Sequence, residues 1–188
     1  MILLVGLGNI GKEHERQRHN LGFMVLDTYT DNTGCSFEHK ALFYADVAVC
    51  KEILCIKPTT YMNNSGQAVA KLVQQYPDAR VVVVYDDIDI ALGTVKCSVG
   101  RGDGGHNGIL SIINHLGHRD FLRIRVGVRP VHEALLPRIA PPNGFEQFLL
   151  SPFAPFEDVL KEQGIQRAIT IIASLSEKTD QEIMNQYN

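Results

Sequence analysis

The chain carries no excess of positive charge: 18 lysines and arginines stand against 21 aspartates and glutamates, a formal net charge of -3. The molecule as a whole does not attract phosphate, so any contact with nucleic acid must come from a local basic patch. Long apolar runs are also missing. The opening Met1-Ile2-Leu3-Leu4-Val5 has no basic flank, and Gly6, Gly8 and the charged stretch from Lys12 break it before it reaches the length of a secretion signal. No later run approaches a membrane span, so no membrane association is expected. The four cysteines, Cys35, Cys50, Cys55 and Cys97, show no C-x-x-C spacing. Three sit in strand-like segments where a reduced thiol behaves as a small apolar group, and a reducing cytoplasm is the simplest setting. There is no G-x-S-x-G, no cysteine stands out as a nucleophile, and no repeat or low-complexity segment appears.

What is present is a chain of 188 residues, 45% hydrophobic, enough for one domain, 1-188, with a continuous core. Met1 to Val5 reads as a buried strand ending at glycine, followed by a helix through Leu21, Met24, Val25 and Tyr29 with Asn20 as its cap. Phe43 to Cys50 and Ile53 to Ile56 flank Lys51-Glu52 as a hairpin. Asn64-Ser65 opens a helix that ends before Pro77. The β-branched run Val81 to Val84 predicts a central strand buried on both faces, with the acidic Asp86-Asp87-Ile88-Asp89 as a turn after it. Strands over Thr94 to Val99 and Leu122 to Val128, a helix over Gly108 to Leu116, a Pro-rich connection Pro137 to Pro142 and a last helix from about Phe156 to Leu175 complete the order. Alternating strands and helices imply an α/β three-layer sandwich: a mixed, largely parallel twisted sheet flanked by helices.

Several patterns invite chemical readings. Gly6-Leu7-Gly8-Asn9-Ile10-Gly11 satisfies G-x-G-x-x-G after a strand, as in a dinucleotide-binding turn. The polar stretch Lys12 to Arg18 separates it from the first helical periodicity, however, and no acidic ribose ligand follows at the end of a second strand. His14-Glu15 and His19 miss the H-E-x-x-H spacing by one residue, which puts the two imidazoles on different helix faces. Asp86, Asp87 and Asp89 suggest magnesium, but no further clustered carboxylates complete a ligand set. No metal and no cofactor are expected.

A set of polar loop residues remains: Asn9, His19, Asn63, Asp86 and the pair His106-Asn107. In open α/β sheets the binding crevice lies beyond the carboxyl ends of the strands, where Asn9 and Asp86 fall. A histidine suits a base near neutral pH, and a carboxylate on its far nitrogen fixes its tautomer. Asparagine amides donate and accept without titrating, so they can hold a water, an ester carbonyl and a peptide backbone in register. Taken singly, each has an ordinary structural explanation in a turn or on the surface.

Together the motifs carry more. Val5-Gly6-Leu7-Gly8-Asn9, Arg18-His19-Asn20-Leu21-Gly22-Phe23, Lys57-Pro58-Thr59-Thr60-Tyr61-Met62-Asn63-Asn64-Ser65-Gly66, Asp86-Asp87-Ile88-Asp89 and Gly104-Gly105-His106-Asn107-Gly108 follow one another in an order that resembles the bacterial peptidyl-tRNA hydrolase family. The likeness runs from residue 1 to about residue 175 and includes Phe121-Leu122-Arg123-Ile124-Arg125-Val126-Gly127. The resemblance implies that His19 is the catalytic base and Asp86 its partner. It also implies that Asn9, Asn63 and Asn107 grip the substrate, with Met62 lining the peptide groove and His14 counted in the substrate-binding set. By the same resemblance Lys96 and Arg125 clamp tRNA phosphates, and the partner is peptidyl-tRNA; a monomer is expected, although the sequence carries no signal for oligomeric state. Ile10, His14 and Gln17 stand where the family usually has proline, tyrosine and threonine, and Ser98 where a second basic residue is common; Arg101 lies nearby. Without the resemblance, the arginines of Leu122 to Val128 read equally well as one solvated face of an alternating strand. Two other functions stay open at this point: an RNA-binding relative that has lost its chemistry, and a nucleotide-dependent oxidoreductase resting on the glycine hexad alone.

Overall fold

A computed structural model of the chain describes residues 1–130 and 144–188; the Pro-rich stretch Pro137 to Pro142 lies outside them. The strands are β1 (Ile2–Gly6), β2 (Glu38–Lys40), β3 (Ala45–Cys50), β4 (Ile53–Pro58), β5 (Arg80–Ala91), β6 (Val95–Ser98) and β7 (Leu122–Arg129). The helices are α1 (Leu21–Thr33), α2 (Ser65–Gln75), α3 (Asn107–Leu116), α4 (Gly144–Leu149), α5 (Asp158–Ala173) and α6 (Asp180–Tyr187). One sheet runs in the order β2-β3-β4-β1-β5-β7-β6. The inner four strands, β4-β1-β5-β7, are parallel, while β2, β3 and β6 pair antiparallel at the edges. No helix among the described residues is long and apolar enough to cross a membrane.

Alternation along the strands builds the three layers. Leu3, Val5 and Val83 face α2 and α3, where Ala68, Leu72, Ile109 and Ile112 are buried. Leu4, Val82 and Val84 face the other way, toward Leu21 and Val25 of α1, Ile165 and Ile172 of α5, and Ile183 of α6. Both faces of the inner strands are therefore covered, which explains why Val81 to Val84 is an unbroken apolar run. The chain leaves β1 toward β4 on one side and returns to β5 on the other. The seam between β1 and β5 is thus the switch point at which a crevice opens.

Four sequence expectations need correction. The acidic residues are not in a turn: β5 continues past Val84, with Asp86 opposite Val126 and Asp87 opposite Gly127 in β7. The reading of the β7 arginines as a solvated face, one of two left open, does not hold: Arg123 is buried under the carbonyls of Arg101 and Gly102, and Arg125 is largely covered and paired with Asp87. The helix ending near Leu175 is not the last, since α6 follows, and the short α4 precedes it. The reduced state holds for the buried thiols of Cys55 and Cys97, whereas Cys35 and Cys50 are joined by a disulfide with Cα atoms 5.8 Å apart.

Candidate active site

The packing of α1 against the β1–β5 seam decides where His19 stands. A Cβ on Gly22 would come within 2.4 Å of the Leu7 nitrogen and the Val84 oxygen, and one on Gly8 within 2.6 Å of the Phe23 ring. The glycines of the first motif serve this close approach of helix to sheet. Residues 7 to 17 loop away before a 3-10 turn, Arg18–Asn20, leads into α1. No helix begins inside the glycine hexad, so the geometry of a dinucleotide turn is absent there.

The 3-10 turn presents His19 to Asp86. Nδ1 of His19 lies 3.0 Å from each carboxylate oxygen of Asp86, which is 1% exposed. A carboxylate there accepts the Nδ1 proton and leaves Nε2 as a bare acceptor. A second imidazole shares the same carboxylate. Nδ1 of His106, the N-cap of α3, accepts from the Ile109 N–H at 3.3 Å, so its proton belongs on Nε2, which points at Asp86 Oδ1 from 3.2 Å. The two rings lie 4.9 Å apart, and Tyr85 packs edge-on against His106.

Charge follows from this geometry. Burial works to raise the Asp86 pKa, but the charges and hydrogen bonds of His19 and His106 outweigh it and hold the carboxyl well below the usual range. Burial would lower the His19 pKa, yet the Asp86 charge and hydrogen bond overcome that and raise it above the ordinary imidazole value. The ligand atoms of His19, Asp86 and His106 fall within 4.8 Å of one another, a spacing that also suits a metal ion. The buried thiols of Cys55 and Cys97 are each pushed up to about 12 by burial, which leaves neither as a nucleophile.

The asparagines arrange themselves around the free face of His19. Asn9 follows β1, and Asn20 clasps its backbone, accepting from the Asn9 N–H at 2.9 Å and donating to its C=O at 2.8 Å. The Asn9 side-chain oxygen accepts from the Met62 N–H at 2.9 Å, so its amide NH2 is the part left to address a ligand. Tyr61, just before Met62, has φ 60° and ψ 161°, a strained backbone for a non-glycine residue. Asn9, His19, Met62, Asn63 and Asn107 line one cleft of about 450 Å³ with Tyr61, His106 and, from α4, Phe145, Glu146 and Leu149. The N-terminus of α3, at Asn107, lies at this cleft, a favourable field for negative charge.

Other expected residues stand elsewhere. His14 bonds Gln17 at 3.0 Å and does not line this cleft. Lys96 is exposed and sits opposite Arg125 in the β6–β7 ladder. The Arg125 Nε donates to Asp87 at 2.8 Å, and Arg125 lines an adjoining compartment of about 300 Å³ with Arg101, Arg123 and Ser98. Arg123 donates to the carbonyls of Arg101 and Gly102 at 2.6 Å each, which holds the loop that ends in His106. Sequence reasoning noted His106 only as one of a polar pair. It expected Asn20 only as a helix cap, whereas its side chain holds the Asn9 backbone instead, and it missed the α4 wall; the one signal for His106 was its place at a helix N-cap.

The peptidyl-tRNA hydrolase family profile matches residues 3–188. A peptidyl-tRNA hydrolase of Thermodesulfovibrio yellowstonii is 36% identical over all of this chain and 99% of its own, and one of Clostridium tetani is 38% identical over all of this chain and 97% of its own. A crystal structure of peptidyl-tRNA hydrolase from Acinetobacter baumannii superposes with a TM-score of 0.87 at 28% identity, covering all of this chain and 94% of that one. With a profile match over nearly its whole length and relatives above one-third identity, the chain belongs to the peptidyl-tRNA hydrolase family.

Proposed function

We propose that the chain hydrolyses the ester linking an N-blocked peptide to the 3' end of tRNA, with water activated by His19 and without a metal or cofactor. The observation that carries this reading is the contact of His19 Nδ1 with buried Asp86, which leaves Nε2 turned to a cleft ringed by asparagines. A water on Nε2 gives up a proton as its oxygen attacks the ester carbonyl; the imidazolium that forms is stabilised by Asp86 and then returns the proton to the departing ribose oxygen. Asn9 NH2 and the N-terminus of α3 stabilise the negative charge that develops on the carbonyl oxygen. Asn63 and Asn107, both exposed in the cleft, are assigned to the peptide backbone, and Met62 to its apolar groove. His14 touches no part of this cleft and is given no role in the step. Residues 1–188 act in this reading as one catalytic domain and as a monomer. Peptidyl-tRNA is a product of translation, so the proposed place of action is the cytoplasm.

Because asparagine amides read a peptide bond better than a free amine, N-acetyl-aminoacyl-tRNA is expected to release its acyl group readily and the unblocked aminoacyl-tRNA poorly. Release measured on purified protein with both substrates tests the function, and equal rates would contradict this recognition.

Lys96 and Arg125 are assigned to tRNA phosphates. Lys96→Ala is expected to reduce the slope of log affinity against log salt by about one contact. Arg125→Ala should give less, because Arg125 already shares its charge with Asp87. An unchanged slope in the double variant, read by tRNA binding at several salt concentrations, would remove both from the clamp.

A further inference from the structure

The two walls of the catalytic cleft come from distant parts of the chain: the loops bearing His19, Asn63 and Asn107 on one side, and α4 with Phe145, Glu146 and Leu149 on the other. A buried side chain helps to join them, beside the backbone bridge between Gln17 and Pro152. Arg18, 6% exposed, immediately precedes His19. Its Nη1 donates to the Ser151 hydroxyl at 2.7 Å and the Pro152 carbonyl at 2.5 Å, and its Nη2 pairs with Glu157 at 2.5 Å. Its backbone N–H donates to the Ser151 carbonyl at 3.1 Å. Phe148 and Phe153 cover the guanidinium at 4.3 and 5.0 Å. Glu157, itself 4% exposed, also accepts from the Ala154 N–H at 2.6 Å.

Apolar packing alone would fasten this segment. A buried ion pair adds little net stability, because desolvation offsets its attraction, but it fixes position sharply. Only arginine offers donors in a rigid plane to a carbonyl, a hydroxyl and a carboxylate while its faces stack on aromatic rings; lysine does not. We propose that Arg18 is a positioning residue that sets the separation of α4 from His19, and with it the width of the channel that takes the peptide. This rests on the reading of the cleft as a peptidyl-tRNA site. Loosening the Arg18–Glu157 pair lets the α4 wall drift while His19 keeps Asp86, so binding of long peptides suffers more than proton transfer.

The test compares wild type, Arg18→Lys and Glu157→Gln as full chains. For each, kcat and KM are measured on N-acetyl-aminoacyl-tRNA and on tRNA carrying a longer peptide, together with the pH dependence of kcat. The KM for the longer peptide is expected to rise about tenfold and that for the single-residue substrate less than about threefold, with the kcat pH profile unmoved. A merely structural role lowers the active fraction, and so kcat for both substrates equally, with KM unchanged; that outcome, or wild-type KM in both variants, overturns the proposal. Glu157→Gln keeps shape and an acceptor oxygen, so it decides the matter if Arg18→Lys does not fold. Turnover of neither substrate by wild type would remove the functional reading and this inference together. Wild-type turnover combined with either contrary result removes only the inference.

Discussion

His19→Ala is expected to lower kcat by roughly 100-fold or more while tRNA affinity stays near the wild-type value, because proton transfer acts in the transition state and not in binding. Nothing in the cluster can take over. His106 is committed on both nitrogens, to Asp86 through Nε2 and to the Ile109 N–H through Nδ1. Asp86 lies behind His19, not in the cleft lining, and its carboxyl is held ionised by the two imidazoles, which makes it a weak base. Alanine leaves the α1 packing intact, since the close approach of that helix depends on Gly22 and Leu21 and not on the His19 ring. Single-turnover release from a saturated complex, with tRNA binding measured separately, reads the effect. A normal kcat would end the assignment of His19 as the base.

Asp86→Asn is expected to lose nearly as much, on the order of 100-fold to 10,000-fold in kcat, with binding retained. The carboxylate accepts from both His19 Nδ1 and His106 Nε2. An asparagine carries no charge and only one of its two terminal groups accepts a hydrogen bond, so the outcome depends on which of them faces His19. Where its NH2 faces His19, the ring must carry its proton on Nε2, which is the nitrogen required as base. Where its oxygen faces His19 instead, the tautomer survives but the charge that stabilises the imidazolium is gone. Both outcomes reduce the rate through His19 alone, so near-normal turnover in Asp86→Asn would show that the carboxylate neither orients nor charges the base.

Much of this arrangement was legible before any coordinates. The β-branched run at Val81 to Val84 marked a strand covered on both faces, and the crevice rule pointed to Asn9 after β1 and to Asp86 beyond that run. What misled was residue type read without neighbours. Consecutive aspartates look like a solvated turn, yet β5 runs on through Asp86 because β7 still pairs with it after β1 has stopped at Gly6. Alternating arginines look like one wet face, yet β6 and the loop at 101 to 105 cover β7, and carbonyl oxygens satisfy Arg123. Helix α6 escaped notice because it is short and Ile183 is its one fully buried residue, with only Met184 and Tyr187 as further apolar contacts. The Cys35–Cys50 bond and the Arg18–Glu157 pair link positions far apart in the chain, and no local pattern announces such a partnership. Roles for His19 and Asp86 came from the family resemblance. That His106 donates to the same carboxylate emerged only from the folded geometry.

The measurement that tests the central claim most directly is kcat against pH for wild type and Asp86→Asn on saturating N-blocked aminoacyl-tRNA. His19 is a base only when neutral, and the Asp86 charge raises its pKa above the ordinary value despite burial. Activity should therefore be full above that raised pKa and fall away as the pH drops through it. In Asp86→Asn the raising charge is gone while burial remains, so the acid limb should move to lower pH and the plateau should fall. An acid limb at the same pH in both proteins, or a wild-type rate that does not decline on acidification, would contradict His19 as a base poised by Asp86.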